Sequence, residues 1–339
     1  MNAIVLVGGF GTRMRPLTET VKKELLPLVD RPILGHTLDR LVAHGVHHVV
    51  MSSPYLEEAF HPFIQARRDE PTITWVTEER PLGTGGAIVH ALDAIGDQPF
   101  FALNGDILTD LDLTAMMRAH RDGAAAVTIA LHHVPDARAF GLVERAADGR
   151  VTAFLEKPEE TVPGDVNAGT YIVEPEVLRR WTADREISIE REIFPAVIGA
   201  GSVVVGFSAE AYWLDLGTPE KYLQAHADVL DGKVRGLRYP NPWIAPDASV
   251  DVAARVGARV AVGPEARIGP DAVVEESVLL AGADVGAEAH IERTIVGPGA
   301  HVGRGASIRD GVLGAGSRVP DRLELIGTKV GVDAVASPA

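Results

Sequence analysis

The stretch "IAPDASVDVAARVGARVAVGPEARIGPDAVV", residues 244 to 274, decides half of the fold. Ile244, Val250, Val256, Val262, Ile268 and Val274 recur every six residues, and Gly257, Gly263 and Gly269 follow three of them. Ala248, Ala254, Ala266 and Ala272 stand two places before four of the aliphatics. One aliphatic in six cannot make a core within a single strand or helix. Stacked triangular coils can use it, because each aliphatic then points inward above its predecessor, so the period predicts a parallel β-helix. Val285, Ile291, Val296, Val302, Ile308, Leu313 and Val319 continue the pattern with five-residue slips. The expectation is a left-handed hexapeptide-repeat domain over 244–319, followed by a C-terminal tail at 320–339.

Upstream, "RGLRYPNPW" (235 to 243), with two prolines, reads as a junction and places a linker at 231–243. The remaining residues, 1–230, follow another grammar. "AIVLV" (3 to 7) is a continuous apolar run ending in glycines, as a strand buried on both faces would be. A helical stretch around "ILGHTLDRLVAHG" leads to "HHVVMSS", a further helix leads to "ITWV", and "GTGGAIVHALDAIG" leads to "PFFALNGD". This βαβ alternation predicts an α/β domain with a Rossmann-like, mixed, mostly parallel sheet. Later runs such as "AAAVTIALHHV", "NAGTYIV" and "SVVVGFSAEAYWLDLG" add strands at a mixed edge.

With 339 residues, 46% of them hydrophobic, the chain can fill two cores. Its formal charge of -15 argues against a general nucleic-acid surface or an anionic-membrane anchor, while leaving room for one small basic pocket. The lack of cysteine excludes disulfides and thiolate metal sites and fits a reducing compartment. "MNAIVLVGG" has no basic n-region, and the longest later apolar run, "AVIGAGSVVVGF", falls short of a membrane span, so a soluble cytoplasmic protein is expected. His44, His47 and His48 lack a carboxylate at ligand spacing, and His132 and His133 must face opposite ways on a strand, so no zinc site is expected. His290 and His301 are read as surface positions of the coil rather than as bases of an acyltransferase.

The glycine turn in "LVGGFGTRMRPLT" (6 to 18) has Met14 where the third glycine of GxGxxG belongs, and it lacks GK[ST]. Neither a dinucleotide fingerprint nor a P-loop fits. What remains is a turn with uncovered backbone N–H groups and an arginine, Arg13, whose guanidinium can fork onto phosphate oxygens; a plain βα turn with surface arginines is the alternative. Lys22 and Lys23 bring further positive charge. Asp106 follows the apolar "FFALNG" at the carboxyl end of a strand, where open α/β sheets bind ligands and where a carboxylate suits Mg²⁺. Asp215 in "AYWLDLGTP" reads equally as a turn residue or helix cap. Glu78 and Glu79, being acceptor-only, suit the N1–H and N2–H₂ donors of guanine, against the alternative of two solvated glutamates.

In order along the chain, "GGFGTRMRPLT…KKELLPLVDRP", "PLGTGGA", "NGD", "FGLVE", "EKP", "NAG" and "WLDLGTP" resemble the sugar-1-phosphate nucleotidylyltransferase family over residues 1 to about 225. "PLGTGGA", "NAGTYIV" and "SIEREIFP", with the hexapeptide tail, are most similar to the guanylyltransferases for mannose 1-phosphate within it. The resemblance implies attack of a sugar 1-phosphate on the α-phosphorus of a nucleoside triphosphate, with pyrophosphate expelled. It implies a triphosphate wrapped by Gly8, Gly9, Gly11 and Thr12, leaving-group phosphates on Arg13, and Lys23 bridging to the reacting phosphate. It places Mg²⁺ on Asp106 and Asp215, the nucleotide also on Glu78, Glu79, Gly83 and Thr84, and the sugar phosphate on Gly141, Glu156, Lys157, Asn167 and Gly169. One departure stands out: Lys22 and Glu24 flank Lys23 where many members have prolines, a variant similar to bacterial glucose-1-phosphate uridylyltransferases. Glucose 1-phosphate with a uridylyl, thymidylyl or adenylyl donor, and a cyclitol phosphate, are therefore alternatives. Arg13, Lys23, Asp106 and Asp215 together speak against a noncatalytic nucleotide-sugar sensor. The flat ends and long faces of a coil domain suggest a homo-oligomer, dimer or larger, formed through the β-helix.

Overall fold

The computed structural model describes residues 1–54, 57–67, 71–156, 160 and 162–338, with Glu57 and Glu156 by backbone alone. The chain divides by its contacts into two compact units. One is Met1–Gly9 with His36–Trp213; the other is Phe10–Gly35 with Leu214–Ala339. Contacts thus divide the chain elsewhere than at the prolines of 235–243, because the segment Phe10–Gly35 and the residues after Trp213 belong with the coil.

The first unit is built on a nine-stranded sheet. Its strands are β1 (Asn2–Leu6), β2 (His48–Ser53), β3 (Thr72–Thr77), β4 (Phe100–Asn104), β5 (Val127–Val134), β6 (Gly141–Arg145), β7 (Val151–Glu156), β8 (Gly164–Val173) and β9 (Val204–Ser208). β3, β2, β1 and β4 lie side by side and parallel, joined by crossovers that carry α1 (Ile33–Ala43), α2 (Glu57–Ala66) and α3 (Gly83–His90). Ala3, Ile4 and Val5 are fully buried, as a continuous apolar run in a parallel strand requires. Beyond β4 the sheet turns antiparallel: β8 pairs with β4 on one side and with β5 on the other, and β6 pairs with β7. β9 closes the edge parallel to β5. The core gathers Ile4, Val50, Ile88, Phe100, Tyr171 and Phe194.

In the second unit, α4 (Pro219–Leu230) starts on Thr218, whose side chain accepts from Lys221 N–H, with Pro219 in the first turn where its missing donor costs nothing. The coil follows as three parallel sheets of two- and three-residue strands. Trp243 pairs with Ala261, eighteen residues on; Ala261 pairs with Val278 and Val278 with Ile295, seventeen on each time. A seventeen-residue coil is two steps of six and one of five, which accounts for the slips. Val262, Ile268, Val274, Leu279, Val285 and Ile291 point inward and are buried. The coil does not stop at 319. Glu324–Ile326 and Lys329–Val330 pair with the strands one coil back, Leu325 and Val330 fill the same inward positions, and Ala336 N–H donates to Arg318 C=O. The residues expected as a tail therefore form further coil, hidden in the sequence because exposed Ile326 stands beside inward Leu325 and doubles the aliphatic pattern.

The three corners need backbone at positive φ. They form columns seventeen residues apart: Glu265, Gly282, Gly299, Gly316 and Asp333; Asp271, Glu288, Gly305 and Arg322; Arg259, Glu276, Arg293, Asp310 and Gly327. In the last column Arg259 donates to Glu276 at 3.1 Å and Arg293 to Asp310 at 2.7 Å, an ion ladder down one edge. His290 and His301 face outward and are exposed, His301 Nδ1 lying 2.9 Å from Asp284 Oδ2.

Candidate active site

In the first unit Gly8 and Gly9 follow β1, Glu78 follows β3 and Asp106 follows β4, which puts them at the carboxyl ends of the parallel strands. Gly105 N–H donates to Leu6 C=O, tying the Asp106 turn to β1, and Asp106 is half-buried. Gly8 has a steric role as well, since a Cβ there would stand 2.8 Å from Pro54 Cδ.

Glu78 faces inward and Glu79 outward. Glu78 is 4% exposed; its Oε1 accepts from Ser52 Oγ at 2.9 Å and its Oε2 from Leu82 N–H at 3.0 Å. Both oxygens thus help hold the loop between β3 and α3, and each has a second lone pair that can accept from a base. Glu79 keeps that capacity. The glycines of "PLGTGG" also have internal work: Gly85 and Gly86 N–H donate to Ile187 C=O at 2.8 and 3.1 Å, and a Cβ on Gly83 would lie 2.6 Å from that oxygen. Thr84 Oγ1 donates to Glu190 Oε2 at 2.8 Å.

The sugar-phosphate candidates converge on β6 and β8. Val166 is in register with Leu142, one residue from Gly141, and Gly141 with Glu156. Gly169 N–H donates to Asn167 Oδ1 at 2.9 Å, and Gly169 lies at φ +68°, where a Cβ would meet Asn104 Nδ2 at 2.8 Å. The side chain of Glu156 and the whole of Lys157 lie outside the described residues. Sequence reasoning passed over Trp213 in favour of its neighbour Asp215. Its Nε1 donates to Ala168 C=O at 2.9 Å, it stacks on His132 at 5.0 Å and it meets Phe140 edge-on at 5.4 Å, walling a shallow hollow with Thr109, Leu111 and Thr170. The signal for it was an aromatic beside a strand-end acid. His132 and His133 do face opposite ways, the second reaching Asp165 at 3.0 Å.

In the second unit, Gly11 takes the left-handed φ of +62° and its carbonyl accepts from Thr18 Oγ1 at 2.7 Å and Met14 N–H at 2.9 Å. Met14 is buried and anchors the turn, while Thr12 and Arg13 are exposed. Arg13 and Asp215 meet at Gly217, where a Cβ would lie 2.7 Å from Arg13 Nη2 and 3.1 Å from Asp215 Oδ1. Lys221, which sequence reasoning did not single out, holds its Nζ 3.4 Å from Asp215 Oδ2.

Lys23, 8% exposed, opens a short helical turn just before a tight hairpin, Pro27–Pro32. Helix α4 clamps that hairpin. Tyr222 Oη donates to Pro27 C=O, and Val29 N–H donates to His226 Nε2 at 3.2 Å, with His226 Nδ1 3.0 Å from Tyr222 C=O. Burial pushes the Tyr222 phenol far above its usual range. Val29 sits at φ +62°, a rare backbone for a β-branched residue, held by this clamp.

Residues 2–232 match the family model described as nucleotidyl transferase. The chain belongs to that family. Residues 239–333 match a second model, the GMPPB C-terminal domain. Among curated relatives, the chain is 39% identical over 294 residues to a mannose-1-phosphate guanylyltransferase of Mycobacterium tuberculosis, an alignment covering 85% of this chain and 82% of that one. It is 34% identical to mannose-1-phosphate guanylyltransferase 1 of Arabidopsis thaliana, covering 84% of this chain and 81% of the plant protein. Among solved structures, HddC from Yersinia pseudotuberculosis complexed with GMP-PN superposes with a TM-score of 0.58 at 27% identity, over 66% of this chain and 97% of HddC. As a nucleotidyl transferase the chain is an enzyme. Among the described residues no helix is long and apolar enough to cross a membrane, and no group of three or more histidines or carboxylates could hold a metal by itself.

Proposed function

We propose that this nucleotidyl transferase makes GDP-mannose and pyrophosphate from GTP and mannose 1-phosphate. A phosphate oxygen of mannose 1-phosphate attacks the α-phosphorus of GTP, and the bond to the β-phosphate breaks. The nucleophile arrives ionised, so the protein's task is to bring two anions together in line and to neutralise charge on the leaving pyrophosphate. The observation that carries the reading is the meeting of the Arg13 guanidinium and the Asp215 carboxylate at Gly217. A cation that can fork onto phosphate and a carboxylate that can take a metal are what such a transfer needs side by side.

Mg²⁺ fits the donors present, since it is usually held by one or two carboxylates plus substrate phosphates rather than by an all-protein cage. Asp106 and Asp215 would hold it, and when bound it would supply charge neutralisation on the phosphate oxygens. In this reading the loop Gly8–Thr12 would offer backbone N–H groups to the triphosphate, Lys23 would serve the reacting phosphate, and Glu79 would accept from guanine. Gly141, Asn167 and Gly169 take the sugar phosphate. A cytoplasmic homo-oligomer belongs to the same reading: the acidic, cysteine-free chain suits a reducing compartment, and light scattering gives the subunit number.

The test is pyrophosphate release from a matrix of four nucleoside triphosphates against mannose, glucose and cyclitol 1-phosphates, with Mg²⁺. The highest kcat/KM is expected for GTP with mannose 1-phosphate. A clear preference for UTP with glucose 1-phosphate, the pairing that the residues around Lys23 resemble, would replace this assignment.

A further inference from the structure

Glu190 collects hydrogen bonds from separate parts of the first unit. Thr84 Oγ1 donates to its Oε2 at 2.8 Å, Ser188 Oγ to the same oxygen at 2.9 Å, and Tyr171 Oη to Oε1 at 3.4 Å. Tyr171 Oη in turn accepts from Asn167 Nδ2 at 2.7 Å, and Asn167 Oδ1 accepts from Gly169 N–H at 2.9 Å. Thr84 Oγ1 accepts from Ile189 N–H at 3.0 Å, which leaves its hydrogen for Glu190. The turn carrying Glu190, Ile189–Ile193, is π-helical, a rare geometry that is found disproportionately at functional sites. It presses directly on the glycines in the first turn of α3: a Cβ on Gly85 would stand 2.8 Å from Ile193 Cδ1.

We propose that Glu190 is a positioning residue that holds the nucleotide loop at Gly83–Thr84 and the sugar-phosphate segment at Asn167–Gly169 in one register. The proposal rests on the assignment of those two segments made above. A carboxylate can only accept, so all three hydroxyls must donate to it. The phenol of Tyr171 then turns a lone pair toward Asn167, which fixes that amide with Nδ2 toward the ring and Oδ1 toward Gly169. Without the carboxylate, the Tyr171 phenol and Thr84 lose the acceptor that orients them, and the amide loses the fixed lone pair it donates to. Glu190 touches neither substrate in this account. It decides where two groups that do touch them are pointed.

The experiment uses the full chain and initial rates with GTP and mannose 1-phosphate. Glu190→Ala is expected to raise KM for both substrates about tenfold or more, with a smaller change in kcat, since hydrogen bonds to a charged acceptor are among the stronger ones. Thr84→Val should raise KM for GTP alone and Tyr171→Phe that for mannose 1-phosphate alone. Glu190→Gln, which keeps one acceptor oxygen, should fall between wild type and Glu190→Ala. If Glu190→Ala does not fold, Glu190→Gln must still raise both KM values. A change confined to one substrate, both KM values within about twofold of wild type, or Gln no closer to wild type than a folded Ala variant overturns the proposal. Should wild type release no pyrophosphate with any substrate pair, the functional reading fails by itself. Amide hydrogen exchange then decides the role of Glu190: protection lost together at 83–86 and 165–171 in Glu190→Gln supports it, and loss at one segment or neither overturns it.

Discussion

Gly217 shows how little room the charged groups of the second unit have. An alanine there would put a methyl 2.7 Å from Arg13 Nη2, and because that atom ends a flexible side chain, the guanidinium would swing away rather than the backbone yield. Gly217→Ala should therefore cut turnover by about tenfold or more while leaving the melting temperature nearly unchanged, as pyrophosphate release and calorimetry would show. Lys23→Ala and Asp106→Ala act on developing charge and should lower turnover by orders of magnitude with the fold intact; near-normal rates would remove either from the site. Glu79→Gln should erode the preference for GTP. Arg13, Lys23, Asp106 and Asp215 stand out as candidates in the sequence because each sits in a local motif. Glu78 was not legible as an inward residue, since its partner Ser52 lies 26 positions away and nothing local distinguishes it from Glu79. Glu190 was equally mute within "SIEREIFP", its partner Thr84 being 106 positions distant.

At the scale of elements, the coil was the most legible part, because an inward aliphatic every six residues is a local signal with one geometric solution. Its corners were not: glycine marks some of them, while Glu265, Asp271 and Arg259 adopt the same left-handed backbone without glycine's freedom. Glu265 is exposed and borders no ion pair among those described, so Glu265→Gly should raise stability by about 0.5–1 kcal/mol in urea titrations. The reverse swap, Gly282→Ala at φ +68°, should lower it. In the hairpin after Lys23, strain is held by α4 rather than relieved. His226→Ala leaves the buried Val29 N–H without its acceptor, so a loss of about 1–3 kcal/mol is expected, with KM rising for the substrates that Lys23 serves.

For the whole molecule, acid is the revealing stress. Burial holds His120 below its ordinary 6.5, with Glu174 opposing that shift, and burial acts in the same direction on His44 and His132. The unfolded chain takes up these protons near pH 6.5 and the folded chain resists them, so their contribution is complete above that pH and fades as pH falls through it toward the folded values. The urea midpoint should drop between about pH 7 and 5.5, and His120→Gln should flatten that slope. The sequence grammar also led to a boundary near the prolines of 235–243, whereas contacts group Arg13, Lys23 and Asp215 with the coil. Linear reading finds where composition changes; it does not see which distant segments share a core. A screen for loss of activity should return lesions such as Ile291→Ala, buried in the coil core, alongside lesions at Arg13 and Lys23. Heat inactivation should follow the melting of the coil, because contacts group Arg13 and Lys23 with it.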